Sequence, residues 1–137
     1  MKLIIYTDGA SRGNPGPASY GFTISDEKGK LVYEEGRYIG ISTNNVAEYT
    51  AVLEALKYVK SSFKKNVAQI ELFADSKLVV EQLSGRFKVK SPHLKPLIEK
   101  IQILKLELGG AVHSHVPRAQ NTTADKLANQ ALDTRKN

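Results

Sequence analysis

The stretch YTDGASRGNPGPASYG, residues 6–21, joins two apolar runs through small and polar residues. Before it, KLIIYTD (2–8) is short and rich in β-branched and aromatic side chains, and reads as a strand that ends on an acid, Asp8. After it, SYGFTISD (19–26) reads as a second strand and LVYEEGRYIG (31–40) as a third, with KGK (28–30) as the turn between them. The short connections predict an antiparallel meander.

Further along the chain the period changes. STNNVAEYTAVLEALKYVKSSF (42–63) reads as a helix whose apolar face is Ala47, Ala51, Leu53, Ala55, Leu56 and Val59, with capping candidates from Ser42 to Asn45. QIELFAD (69–75) is a fourth strand and again ends on an acid. SKLVVEQLSG (76–85) reads as a short helix closed by Gly85. SPHLKPLIEKIQILKLEL (91–108) reads as another, with Pro92 in its first turn. AVHSHV (111–116) is a short strand and TTADKLANQALDT (122–134) the last helix. Three strands, then helices alternating with two more strands, predict an α/β fold whose sheet is partly antiparallel and partly parallel, in a single domain over 1–137.

With 137 residues, 41% hydrophobic and 25% charged, the chain has the material for one real core. It contains no cysteine, so disulfides and thiolate metal sites are excluded. No apolar run approaches the roughly 20 residues that span a bilayer, and MKLIIYTDGAS is too short in apolar residues for a secretory signal. The expectation is a cytoplasmic monomer without a membrane partner. Twenty Lys and Arg against fourteen Asp and Glu leave a net charge of +6, which favours polyanionic partners.

Most acids alternate with polar neighbours; Asp8, Glu48, Asp75 and Asp125 do not. Asp8 and Asp75 end core strands, and in open α/β sheets sites gather outside the carboxyl ends of strands. Glu48 and Asp125 lie in the first turns of helices that return to that edge. Singly, each has an ordinary explanation, as a turn residue or a complement to the helix dipole. Packed together they would repel unless a divalent cation neutralised them, and an all-oxygen set favours Mg²⁺ or Mn²⁺ over Zn²⁺.

TDGASRGNPGPASYG (7–21), STNNVAEYTAVLEAL (42–56), ADSKLVVEQL (74–83) and HVPRAQNTTADKLANQAL (115–132) resemble, in order, the four motif blocks of type 1 ribonuclease H. The resemblance implies a five-stranded mixed sheet, three antiparallel strands then two parallel, with helices on both faces. It also implies endonucleolytic hydrolysis of the RNA strand of RNA/DNA hybrids, leaving 5′-phosphate and 3′-hydroxyl ends. Its metal carboxylates fall on Asp8, Glu48, Asp75 and Asp125, which would hold two Mg²⁺ ions, with Mn²⁺ as a substitute. Two such ions activate the attacking water and stabilise the leaving oxygen.

His115 stands where family members carry a His that shuttles protons or assists product release. Either His115 or Arg118 is expected to face the scissile phosphate, His115 being favoured by position. Reading a 2′-hydroxyl needs close backbone approach and mixed donors and acceptors; Gly9, Ala10, Ser11 and Arg12, with Asn14, Asn44 and Asn45, suit it. Thr43 matches the family Thr that helps hold a phosphate of the DNA strand.

Two departures accompany that match. Ile41 stands where many members carry Arg, and Ser91 where many carry Asn. The expectation is a weaker DNA-phosphate pocket and looser discrimination between hybrid and double-stranded RNA, with cleavage of the latter left open. The segment from Arg86 to Lys105 also holds Lys88, Lys90, Lys95 and Lys100 with one acid, Glu99, and reads either as a phosphate-tracking surface or as a solvated helix face. The basic protrusion of many relatives is absent from it. A non-catalytic hybrid binder and a resolvase- or integrase-type nuclease are the alternatives; retention of all four acids opposes the first, and the TNN block with its Gly-rich turn opposes the second.

Overall fold

The computed structural model describes residues 1–63, 66–85 and 91–135. Five strands form one sheet: β1 (Lys2–Ser11), β2 (Gly16–Asp26), β3 (Leu31–Ser42), β4 (Gln69–Ala74) and β5 (Val112–His115), in the order β3-β2-β1-β4-β5. The first three are antiparallel, and β4 and β5 join parallel to β1. The helices are α1 (Asn44–Phe63), α2 (Lys77–Leu83), α3 (Lys95–Glu107) and α4 (Thr122–Thr134).

One face of the sheet makes the main core. Alternate β1 residues Leu3 and Ile5 pack with Phe22 and Ile24 of β2, Leu72 of β4, and the Tyr49, Val52 and Leu56 stripe of α1. Ile98 and Ile101 of α3 extend the same cluster. Each such side chain contributes about 1.5–3 kcal/mol by leaving water. α4 covers the other face with small residues, burying Ala124, Ala128 and Ala131. It lies so close that a Cβ on Gly21 would come within 2.4 Å of the Ala124 carbonyl oxygen, and one on Gly36 within 2.5 Å of that of Leu127.

The predicted order and topology hold, and α4 occupies the residues expected. Several boundaries differ. β1 runs three residues past Asp8 and β2 begins at Gly16, because the hairpin keeps pairing through Ser11 and Ala18. Asp8 therefore ends the apolar run and not the strand. α3 begins at Lys95; residues 91–94 form a turn, and Pro96, not Pro92, occupies the first helical turn. Arg86, Lys88 and Lys90 of the basic segment lie outside the described residues. Lys105 does not track the surface: its ammonium donates to the Leu83 carbonyl at the end of α2, 2.9 Å away, and burial lowers its pKa. Lys95 and Lys100 are exposed. Among the described residues no helix is long and apolar enough to cross a membrane.

Candidate metal centre and flanking groove

The parallel pairing of β1 with β4 ends at Thr7 and Ala74. Beyond this fork the strands part, and each delivers an acid: Asp8 from β1 and Asp75 from the residue after β4. α1 delivers the third. Its start presses on β1 at Gly9, where a Cβ would lie 2.4 Å from the Glu48 nitrogen, so that a glycine there lets Glu48 reach the fork. One carboxylate oxygen from each of Asp8, Glu48 and Asp75 lies within 4.8 Å of the others.

Asp8 and Glu48 are 3% and 4% exposed. Burial, then the charge of Asp75, then a hydrogen bond and charge from Asp125, push the Asp8 carboxyl up to about 8; the Glu48 contact opposes this. Asp125, brought by α4, thus adjoins Asp8 although it stands outside the mutual 4.8 Å set. Burial and then the charges of Asp8 and Asp75 raise Glu48 well above the usual carboxylate range. Glu48 Oε2 is buried without a hydrogen-bond partner among the described residues. An all-oxygen donor set, crowded enough to hold protons and with a buried acceptor left over, fits a hard divalent cation such as Mg²⁺ or Mn²⁺.

The two rim candidates flank this centre. His115 is exposed at the end of β5, with Nε2 3.2 Å from the Asp75 carbonyl oxygen. The Arg118 guanidinium is 3.9 Å from Asp125 Oδ1 and 83% exposed. His113, two residues earlier on β5, is buried; burial and then the charge of Lys105 push its imidazole down to about 3, and its Nε2 has no partner among the described residues.

Asn121 is a residue that sequence reasoning missed. It precedes α4 and looks like an N-cap, yet its side chain makes no capping bond. It is buried and donates instead to the Thr7 carbonyl at 2.9 Å and, at 3.4 Å, to Asp75 Oδ2. It ties the approach to α4 to both strands of the fork. Asn129, one turn on in α4, holds the Asp125 carboxylate by donating to Oδ1 at 3.2 Å.

The residues expected to touch substrate divide. Gly9, Ala10 and Ser11 continue β1 beyond the acids. Arg12 does not offer its side chain freely, because it pairs with Asp133 near the end of α4. Asn14, Thr43, Asn45 and Ser91 come together with His93, a residue given no role from the sequence, around a groove of about 440 Å³. The Asn44 N–H donates to Asn14 Oδ1 at 3.0 Å, and the Val46 N–H to Thr43 Oγ1 at 3.2 Å, so Thr43 caps α1.

A mixed sheet in this order, with a carboxylate cluster at the fork of its parallel strands, defines a class of α/β proteins built around hard cations. The family model described as reverse transcriptase-like matches residues 6–131. The bifunctional protein Rv2228c of Mycobacterium tuberculosis is 44% identical over 134 residues, covering 97% of this chain and 36% of its own length. The ribonuclease H of Ruthia magnifica is 34% identical over 150 residues and covered to 96% on both sides. Among solved structures, LC11-RNase H1 in complex with an RNA/DNA hybrid superposes with a TM-score of 0.92 at 45% identity, over 97% of this chain and 98% of that one. The chain belongs to the type 1 ribonuclease H family. It spans about a third of the length of the first curated relatives it matches.

Proposed function

We propose that this chain is a metal-dependent endoribonuclease that hydrolyses the RNA strand of RNA/DNA hybrids, leaving 5′-phosphate and 3′-hydroxyl ends. The observation that carries this reading is the gathering of Asp8, Glu48 and Asp75 within 4.8 Å, with a buried Glu48 oxygen that has no donor among the described residues. The relative solved with a hybrid bound supports the substrate class. Asp8, Glu48, Asp75 and Asp125 would hold two Mg²⁺ ions, which when bound activate the attacking water and stabilise the leaving 3′ oxygen.

The chain's own residues do the rest. Gly9 to Arg12 offer backbone donors and acceptors to the sugar edge, and Asn44 and Asn45 offer amides for the 2′-hydroxyl. Thr43 and Ser91 hold a phosphate of the DNA strand, and Asn14, read from the sequence as a partner of the 2′-hydroxyl, lines the same groove. His115 handles protons or product release at the rim, with Arg118 the other candidate beside Asp125. The 137 residues act as one domain, in the cytoplasm and as a monomer, whether alone or within a longer chain. Double-stranded RNA is a second substrate because Ile41, 70% exposed, offers no charge to the DNA-strand phosphate.

The test is cleavage of a labelled RNA/DNA hybrid with Mg²⁺, Mn²⁺ or EDTA side by side, for the unaltered chain and for Asp8→Asn. Cleavage is expected with either metal and absent with EDTA. Losing several kcal/mol of metal-centred stabilisation, Asp8→Asn should fall about 10³-fold or more. Cleavage that persists in EDTA, or that Asp8→Asn leaves intact, refutes the proposal. A matched RNA/RNA duplex in the same assay tests the second substrate, and no cleavage of it withdraws that part.

A further inference from the structure

The sheet face that α4 covers carries a second cavity, lined by neither the acids of the fork nor the residues around Thr43. It measures about 360 Å³, within the range of small-molecule sites. One row of register partners crosses it: Tyr6 of β1, Thr23 of β2 and Glu34 of β3. Directly paired residues share a face of the sheet. Phe73, the β4 partner of Tyr6, stacks on the Tyr6 ring with centroids 5.0 Å apart. The row therefore runs from stacked aromatic rings, through a hydroxyl, to an exposed carboxylate. Two strand spacings, about 10 Å, separate its ends. The approach to α4 closes the opposite wall with Asn121 and Thr123.

Asn121 says what the cavity lacks. It is 1% exposed. Its Nδ2 is spent on two acceptors, the Thr7 carbonyl and Asp75 Oδ2, which fixes the orientation of the amide. Its Oδ1 is buried and has no partner among the described residues. A buried acceptor left without a donor is costly, and the residue that carries this one lines the cavity.

We infer that this cavity binds a nucleoside whose base carries an exocyclic amine. The base lies against the side of the Tyr6 ring that Phe73 leaves open, as offset aromatic pairs do. Its amine donates to Asn121 Oδ1. The ribose hydroxyls, at the other end of a ligand about two strand spacings long, donate to the Glu34 carboxylate, the way an acidic residue takes ribose hydroxyls in dinucleotide folds. A 5′-phosphate would meet that carboxylate and be repelled. The inference goes beyond hybrid cleavage and holds whatever the fork cleaves.

The experiment titrates adenosine into the full chain and follows the protein by NMR. Purine riboside, which lacks the amine, and adenosine 5′-monophosphate are titrated beside it. Adenosine should bind with a dissociation constant of about 0.1–1 mM. The shifts should centre on the amides of Tyr6, Thr23, Glu34 and Asn121. Purine riboside should bind about three- to tenfold more weakly, the size of one hydrogen bond, and the monophosphate weaker than adenosine by a similar factor. Glu34→Gln keeps the shape of an exposed side chain; it should weaken adenosine about three- to tenfold and bring the monophosphate level with it. The absence of a saturable shift at about 10 mM adenosine, or shifts centred on other residues, overturns the inference. So does purine riboside binding as tightly as adenosine, or a monophosphate that binds the unaltered chain as tightly as the nucleoside. Hybrid cleavage stands or falls separately from all of these results.

Discussion

The acid fork and the groove beside the start of α1 are built in opposite ways. The fork concentrates charge where water is scarce: Asp8 and Glu48 are buried, and their carboxyls are driven upward by burial and by one another. It is fixed by close backbone contacts at Gly9 and under α4. Among the described residues the groove is lined by no acid, and its amides and hydroxyls are half-buried or exposed on turns and helix starts. Folding free energy is spent at the fork, on holding like charges together. At the groove little is spent, and little is gained until a ligand arrives. Substitutions at the fork should therefore change stability and activity together, whereas substitutions at the groove should change affinity alone.

The largest effect expected is at Asp8. In the metal-free protein its carboxyl holds a proton up to about pH 8, against 3.8 ordinarily. The folded state thus binds more protons than the unfolded state between those values, and stability must fall as pH rises through that window. Glu48 acts in the same direction. Asp8→Asn removes the charge and keeps the shape, so in EDTA at pH 8 it should be more stable than the parent by about 3 kcal/mol. Mg²⁺ should reverse the order by stabilising only the parent. Urea melts at pH 6.5 and 8, with EDTA and with Mg²⁺, measure this. A parent whose EDTA stability is flat over that range would show that the fork carries no stored repulsion.

Next comes the seat of α4. Gly21→Ala drives a Cβ into the Ala124 carbonyl and must lift the helix that carries Asp125. The expected cost is about 1–3 kcal/mol, together with a loss of hybrid cleavage. Gly29→Ala is the control for stability on heating: nothing lies within 4 Å of its would-be Cβ, although its φ of +83° makes it a turn glycine with a cost of its own. Equal activity in the two variants would break the link between α4 seating and the fork.

His113 supplies an effect confined to acid. Its folded value of about 3 lies below the ordinary 6.5, so the stability tied to its neutral form is fully present above pH 6.5 and is lost as pH falls from there toward 3. The slope approaches about 1.4 kcal/mol per pH unit. His113→Leu should flatten that limb and leave the limb above pH 6.5 unchanged. Thermal melts from pH 4 to 6.5 that superpose for the two proteins would refute the assignment.

Much of this was legible in the chain. Period and turn chemistry gave the five strands and a sheet partly antiparallel and partly parallel, the finer arrangement came with the family resemblance, and the residues of α4 matched throughout, because its small apolar face and flanking polar residues left no competing pattern. The four acids stood out by their positions relative to the elements. What escaped was whatever depends on a partner far along the chain. Asp8 was read as a strand end because pairing with β2 through Ser11 cannot be seen in the apolar pattern. Asn121 drew no reading at all, because its partners, Thr7 and Asp75, come from distant parts of the chain. Lys105 looked like part of a basic face, yet its ammonium turns in to the end of α2. His93 had no periodic or motif signal; only folding the 91–94 turn against the start of α1 gives it a neighbourhood.

The smallest effect tests the groove's side of the contrast. Asn14 Oδ1 accepts from the Asn44 N–H at an exposed site, tying the β1–β2 turn to the start of α1. Water replaces such a partner readily, so Asn14→Ala should cost no more than about 0.5–1 kcal/mol of stability. The same substitution frees the turn that forms one wall of the groove. Ligand order then has to be supplied on binding, and KM for the hybrid should rise a few-fold while kcat, set at the fork, stays level. If Asn14→Ala lowered kcat and stability as strongly as Gly21→Ala, the two regions would form one cooperative unit and the division drawn between them would fail. A rise in KM with kcat and melting temperature nearly unchanged keeps them separate, with charge doing its chemistry at the fork and neutral contacts setting the register of the substrate.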